Sequence, residues 1–133
     1  MKRKALVVDD DEAIRFVLTR ALEDIGFEVV TADDGADVPE LLVHHTFVLV
    51  VMDLYMSGVN GFEMLRQVRR PHHGLLPAPR TPSTVPVLVV SGEGQRATIA
   101  NARRLGADSY LVKPVDLGVF TRTVGTLVGG SAS

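Results

Sequence analysis

The sequence predicts an α/β fold, a doubly wound parallel sheet with helices on both faces. Two observations carry this. Short runs of consecutive apolar residues recur along the chain without polar alternation, as strands buried on both faces require. Between them lie segments whose apolar residues return every three or four positions, the pattern of an amphipathic helix. Size is the third constraint. The 133 residues, 14.4 kDa, make one ordinary domain. With 46% hydrophobic and 23% charged residues, folding buries roughly two-thirds of the unfolded surface, enough for a core without staples.

The elements run in order. Residues 5–8, rich in valine, read as a buried strand. Ile14, Val17, Leu18, Ala21, Leu22 and Ile25 then share one helical face, with Asp11 placed to cap it and Gly26 to stop it. A second strand is expected over 28–32. A weaker helix covers 36–44, because Pro39 is tolerated only in a first turn and makes that helix start late. Residues 47–52 are a strongly apolar third strand. A helix over 61–70 turns Phe62, Leu65 and Val68 inward. Residues 85–90 form a fourth strand, 93–105 a helix closed by Gly106, and 109–112 a short fifth strand. A last helix over 116–128 carries Leu117, Phe120, Val124 and Leu127 on one face. Gly118 and Gly125 each weaken it by up to ~1 kcal/mol relative to alanine. Five such units suit the doubly wound order 2-1-3-4-5, in which ligands bind at the carboxyl ends of the strands.

One segment breaks the rhythm. Residues 71–86 hold five of the seven prolines, with His72 and His73. Regular structure resumes after it, so it reads as an exposed, proline-stiffened excursion and not a domain boundary.

Composition excludes several classes. Fourteen basic and sixteen acidic residues give a net charge of −2, neither a nucleic-acid coat nor an acidic tail. The absence of cysteine removes disulfides and thiolate metal sites. The longest apolar run, 47–52, is six residues, while a membrane span needs about twenty. A soluble, cytoplasmic protein is the expectation. His44-His45 and His72-His73 are read as ordinary side chains, because adjacent histidines point different ways.

The chemistry stands just after the strands. Asp9, Asp10, Asp11 and Glu12 follow the first, Asp53 the third, Ser91 and Gly92 the fourth, Lys113 and Pro114 the fifth. Asp9, Asp10 and Asp53 would bring three mutually repelling carboxylates together. A hard divalent cation relieves that repulsion, and Mg²⁺ suits a site that also takes phosphate. With the Lys113 ammonium and the Ser91 hydroxyl, such a site suits phosphoryl transfer, with a carboxylate as nucleophile.

These residues resemble the receiver domain of two-component response regulators, the CheY-like superfamily. The matching pieces are Val7-Val8-Asp9-Asp10, Val51-Met52-Asp53-Leu54-Tyr55-Met56 with Gly61, Val89-Val90-Ser91-Gly92, and the run from Gly106 to Pro114. The resemblance covers residues 4 to about 128 and implies a single receiver domain. It implies that Asp53 accepts a phosphoryl group from a phosphohistidine on a sensor histidine kinase or phosphotransfer protein. It implies Mg²⁺ ligated by Asp10, Asp53 and the Tyr55 carbonyl, with Asp9 acting through water. Ser91 and Lys113 would contact the phosphoryl oxygens, the Lys113–Pro114 bond would be cis, and Tyr110 would be an aromatic switch. Its ring would turn inward with Ser91 and reshape the surface of the fourth helix, fifth strand and fifth helix. The product is a signalling switch, not an enzyme on an external substrate. Its signal would pass to a downstream protein target or a missing output domain, from a monomer or a phosphorylation-dependent dimer, without direct binding of nucleic acid or membrane. Ser57 and Asn60 depart from the family's usual proline and aspartate, which bears on loop rigidity and not on the acceptor.

Three other readings stand beside it. One is an unphosphorylated pseudo-receiver that only binds partners. Another is a phosphatase of a different aspartate-nucleophile family, which the Asp9–Asp11 spacing permits but which leaves Asp53 unexplained. The weakest is a flavodoxin-like nucleotide binder, because no phosphate-cradling glycine loop follows the first strand.

Overall fold

A computed structural model describes residues 2–56, 59–70 and 77–129. His72, His73 and Ser57 lie outside the described residues.

The chain runs β1 (Arg3–Val8), α1 (Glu12–Asp24), β2 (Phe27–Ala32), α2 (Val38–His44), β3 (Phe47–Met52), α3 (Gly61–Arg69), β4 (Val87–Ser91), α4 (Arg96–Arg104), β5 (Ser109–Val112) and α5 (Leu117–Val128). The strands form one parallel sheet in the order β2-β1-β3-β4-β5. β1, β3 and β4 are interior strands, and their near-continuous burial matches their unbroken apolar sequence.

Alternate residues of each strand feed opposite cores. Leu6, Val8, Val50, Met52, Val87 and Val89 pack under α2, α3 and α4. Ala5, Val7, Leu49, Val51, Leu88 and Val90 pack under α1 and α5 with Leu18, Leu22, Phe120 and Val124. Among the described residues no helix is long and apolar enough to cross a membrane.

Local signals set the boundaries. The Asp11 carboxylate accepts from the Ala13 and Ile14 amides at 2.9 and 3.1 Å and starts α1. Gly26, at φ 99°, turns the chain out of it. Pro39 sits in the first turn of α2, behind a single 3-10 turn over Gly35–Asp37. α4 begins at Arg96, three residues later than the periodicity suggests. Glu93 folds back instead, its carboxylate accepting from the Gln95 amide at 2.8 Å, and Gln95 is extended.

The tail of the proline-rich excursion is anchored, not simply exposed. Thr81 is buried. Its amide donates to the Leu42 carbonyl at 3.1 Å, and its hydroxyl donates to the His45 carbonyl at 2.6 Å and accepts from the Phe47 amide at 2.9 Å. Arg69 ties the same segment to the α4–β5 turn. Its guanidinium donates to the carbonyls of Ser83, Val85 and Gly106 and to the Asp108 carboxylate. These contacts lie at the amino ends of the strands, away from Asp53.

Candidate functional site

The backbone ladder extends one residue past three strands and holds that residue in place. The Asp9 amide donates to Ala32, the Asp53 amide to Val8 and the Lys113 amide to Ser91, at 3.1, 3.1 and 2.8 Å. Asp9, Asp53, Ser91 and Lys113 therefore meet at the carboxyl edge of the sheet. The Lys113 Nζ lies 2.9 Å from Asp9 Oδ2 and 2.9 Å from Asp53 Oδ2. The two carboxylates are almost sealed from solvent, at 3% and 7% side-chain exposure. The lysine lies across them, partly open to solvent.

Each acid has a second restraint. Asp9 Oδ1 accepts from the Asp11 amide at 2.9 Å, and the Arg15 guanidinium donates to the Asp9 carbonyl at 2.7 Å. Asp53 Oδ1 accepts from the Tyr55 amide at 3.0 Å. Burial lowers the pKa of Lys113, but hydrogen bonds to Asp53 and Asp9 outweigh it and hold the ammonium above its ordinary value. One cation therefore stays charged between two buried anions.

Asp10 is exposed and lines an open hollow with Leu54, Tyr55, Met56, Val59 and Phe62. Of the three carboxylates expected here, Asp9 and Asp53 are bridged by Lys113, and Asp10 stands exposed at the end of the same strand as Asp9. Among the described residues no three acidic, histidine or cysteine side chains form a ready metal cage. The donor chemistry still fits a hard divalent cation, because three carboxylates share this edge with one ammonium.

Tyr55 is half exposed and packs edge-on against Phe62, ring centroids 6.3 Å apart. Asn60 pairs with Tyr55 in an isolated bridge and caps α3, its side-chain oxygen accepting from the Phe62 amide at 2.8 Å. Gly61 lets this loop close, its amide donating to the Leu54 carbonyl at 3.0 Å.

Ser91 is fully buried, and its Oγ accepts from the Glu93 amide at 3.3 Å. The Tyr110 ring is turned inward, 8% exposed, and its hydroxyl donates to the Glu93 carbonyl at 2.5 Å. Burial raises the Tyr110 pKa against the opposing effect of hydrogen bonding to Ser91. The phenol therefore stays protonated and able to donate. The Lys113–Pro114 bond is cis. Sequence reasoning missed Arg15 and Phe62 as parts of this site. Neither belongs to a motif, and only helix geometry brings them to the strand ends.

Comparison with known proteins gives the family. The model of the response regulator receiver domain matches residues 5–124. Protein PilH of Pseudomonas aeruginosa is 32% identical over 96% of this chain and 98% of its own length. The CAI-1 autoinducer sensor kinase/phosphatase CqsS of Vibrio cholerae is 32% identical over 96% of the chain, and the DNA-binding transcriptional regulator NtrC of Escherichia coli is 34% identical over 84%. The chain spans only 18% and 22% of the lengths of those two. Among solved structures, the chemotaxis response regulator CheY4 of Vibrio cholerae superposes with a TM-score of 0.81 and 26% identity, over 96% of this chain and 99% of that one. A five-stranded sheet in this order and a family match over nearly its whole length show that the chain belongs to the response regulator receiver domains, of CheY type.

Proposed function

We propose that this chain is the phosphoacceptor receiver of a two-component phosphorelay, with Asp53 as the acceptor. The observation that carries it is the Lys113 ammonium held 2.9 Å from both Asp9 and Asp53. That arrangement keeps a positive charge beside the Asp53 carboxylate, where the oxygens of an incoming phosphoryl group would arrive. Receiver domains are signalling switches and generally not classical enzymes, and the family works with histidine kinases and downstream targets.

In this reading an Asp53 oxygen attacks the phosphorus of a phosphohistidine. The P–O bond forms as the P–N bond breaks, and the released imidazole takes its proton from water. Lys113 moves its ion pair from the Asp53 carboxylate to a phosphoryl oxygen, and the Ser91 hydroxyl donates to another. Asp10, Asp53 and the Tyr55 carbonyl would hold Mg²⁺, with Asp9 through water, and the ion would neutralise charge on the transferring group. The Tyr110 ring is already turned inward with its hydroxyl on the Glu93 carbonyl, so in this reading engagement of Ser91 by the phosphoryl group would hold it there and fix the surface around α4, β5 and α5.

The domain is proposed as a single receiver with its core over 4–128, working in the cytoplasm. It acts alone, as its match to the whole of PilH allows, or within a longer regulator. Phosphoramidate, whose P–N bond mimics phosphohistidine, tests the reading. The expected product is a Mg²⁺-dependent, hydroxylamine-labile phosphoryl group on Asp53. A label that survives Asp53→Asn would overturn it.

A further inference from the structure

Lys113 shares the carboxyl edge of the sheet with a second cation. Arg15 stands near the start of α1, its amide donating to the Asp11 carbonyl at 3.0 Å. The helix that carries it is firmly seated, capped by Asp11 and packed on the sheet through Leu18, Ala21 and Leu22. From that base the Arg15 guanidinium reaches back and donates to the Asp9 carbonyl at 2.7 Å, the short end of the range for a charge-assisted hydrogen bond. That carbonyl is the first past β1. The ladder at this end uses the Asp9 amide, which donates to Ala32, and the Val8 carbonyl, which accepts from Asp53. The bond from Arg15 restrains more than Asp9. The Asp9 carbonyl and the Asp10 amide belong to one rigid peptide plane. The next plane, between Asp10 and Asp11, is held as well, because the Asp11 amide donates to Asp9 Oδ1 at 2.9 Å. Both planes that flank Asp10 are therefore anchored, and with them the φ and ψ that set the direction of its Cα–Cβ bond. One anchor is the carboxylate of Asp9, and the other is Arg15.

We propose that Arg15 is a positioning residue for the divalent cation, acting through the Asp9 carbonyl to fix the backbone of Asp10 so that its carboxylate is presented to Mg²⁺. This role rests on the metal site of the receiver reading and gives it a residue that touches neither the metal nor the phosphoryl group. Metal ligands are commonly oriented by such outer partners. Charge alone predicts the opposite sign. A guanidinium beside a run of acids repels an arriving cation, so an Arg15 that acted only by its charge would weaken Mg²⁺ binding, and its removal would tighten it. An Arg15 that served only to satisfy the Asp9 carbonyl would add stability and leave Mg²⁺ affinity alone. The three roles differ in the direction of one measurable quantity.

The test titrates Mg²⁺ alone into the isotope-labelled, metal-free protein and follows the amides of Asp10 and Asp53. Arg15→Met keeps the aliphatic stem and removes the donor. It should weaken Mg²⁺ binding roughly tenfold, the low end for losing an outer partner of a metal site. Arg15→Lys keeps one charged donor on a long stem and should recover part of that loss. Arg20→Met, on the same helix with its guanidinium over the Phe16 ring, should bind as wild type. Labelling of Asp53 by acetyl phosphate then separates binding from chemistry. In Arg15→Met the Mg²⁺ concentration for half-maximal rate should rise by a similar factor, while the rate at saturating Mg²⁺ changes far less. Melting temperatures without metal confirm that the variants fold, and Arg15→Lys, the milder change, carries the test if Arg15→Met does not. Mg²⁺ affinity that is unchanged or higher without the Arg15 guanidinium would overturn the proposal. Wild-type amides at Asp10 and Asp53 that do not move with Mg²⁺ would overturn the metal site itself, and this role with it.

Discussion

Replacing Gly61 with alanine should destabilise the fold by about 1–3 kcal/mol, the usual cost of forcing a methyl group into filled space. A Cβ there would lie 2.4 Å from Leu54 Cα, 2.5 Å from its carbonyl oxygen and 2.7 Å from its carbonyl carbon. Comfortable carbon contacts are about 3.5–4.0 Å, so something must move by about 1 Å. The obstructing atoms are backbone and cannot swing aside. The Gly61 amide also donates to that same Leu54 carbonyl, so separating the two strands of the loop stretches a hydrogen bond. Gly26 and Gly106 are the described glycines with positive φ, so the penalty at Gly61 is one of contact and not of backbone angle. Gly125 provides the opposite control. It lies in exposed mid-helix with nothing within 4 Å of its Cβ position, and Gly125→Ala should stabilise by about 0.5–1 kcal/mol. Urea unfolding followed by circular dichroism reads both, with unchanged m values. In heat the Gly61 variant should melt several degrees lower, at about 3–5 °C per kcal/mol for a chain of this size. A Gly61→Ala midpoint at or above that of wild type would refute the reasoning.

Other consequences arise from the same geometry. Lys113→Met leaves Asp9 and Asp53 buried together without their cation and should cost about 3 kcal/mol at neutral pH, read as a lower urea midpoint. Lys113 and Tyr110 both titrate above their ordinary values of 10.5 and 10.0, so the folded state keeps protons that the unfolded chain releases. Stability should hold below pH 10 and fall as pH rises beyond it, and Tyr110→Phe should reduce that fall; a stability that climbs with pH there would contradict the sign. Thr81→Val keeps the shape but removes an acceptor from the buried Phe47 amide and a donor from the His45 carbonyl, and should lower stability by about 1–3 kcal/mol in the same urea assay. Tyr55→Asn should shorten the lifetime of the aspartyl phosphate, because the bulky ring beside Asp53 limits the approach of water; an unchanged or longer lifetime, measured by loss of the phosphorylated mass, would dismiss that role.

The site was legible because its groups stand where continuous apolar runs end. Asp9, Asp53 and Lys113 each occupy the first position past a strand, and a parallel sheet must bring such positions to one edge. Boundaries were less legible where polar residues join a strand or leave a helix. Arg3 and Lys4 pair with β2 although no apolar pattern marks them. Val85 and Pro86 are apolar but precede β4, because the Val85 amide turns back to Pro82 and proline has no amide for a ladder. Glu93 looks like the start of a helix and is instead part of the turn that receives Tyr110. Arg69 and Thr81 were invisible, because their partners, mostly backbone carbonyls and amides, lie 14 to 39 residues away, which no spacing rule connects.

The central claim is that Asp53 accepts a phosphoryl group with the help of Mg²⁺ and Lys113. Intact mass after incubation with acetyl phosphate tests it most directly. The account predicts one added phosphoryl group on wild type in the presence of Mg²⁺, none when the metal is chelated, and none on Asp53→Asn. A wild-type protein that gains no phosphoryl group with Mg²⁺ present, or an Asp53→Asn variant that gains one, would contradict it.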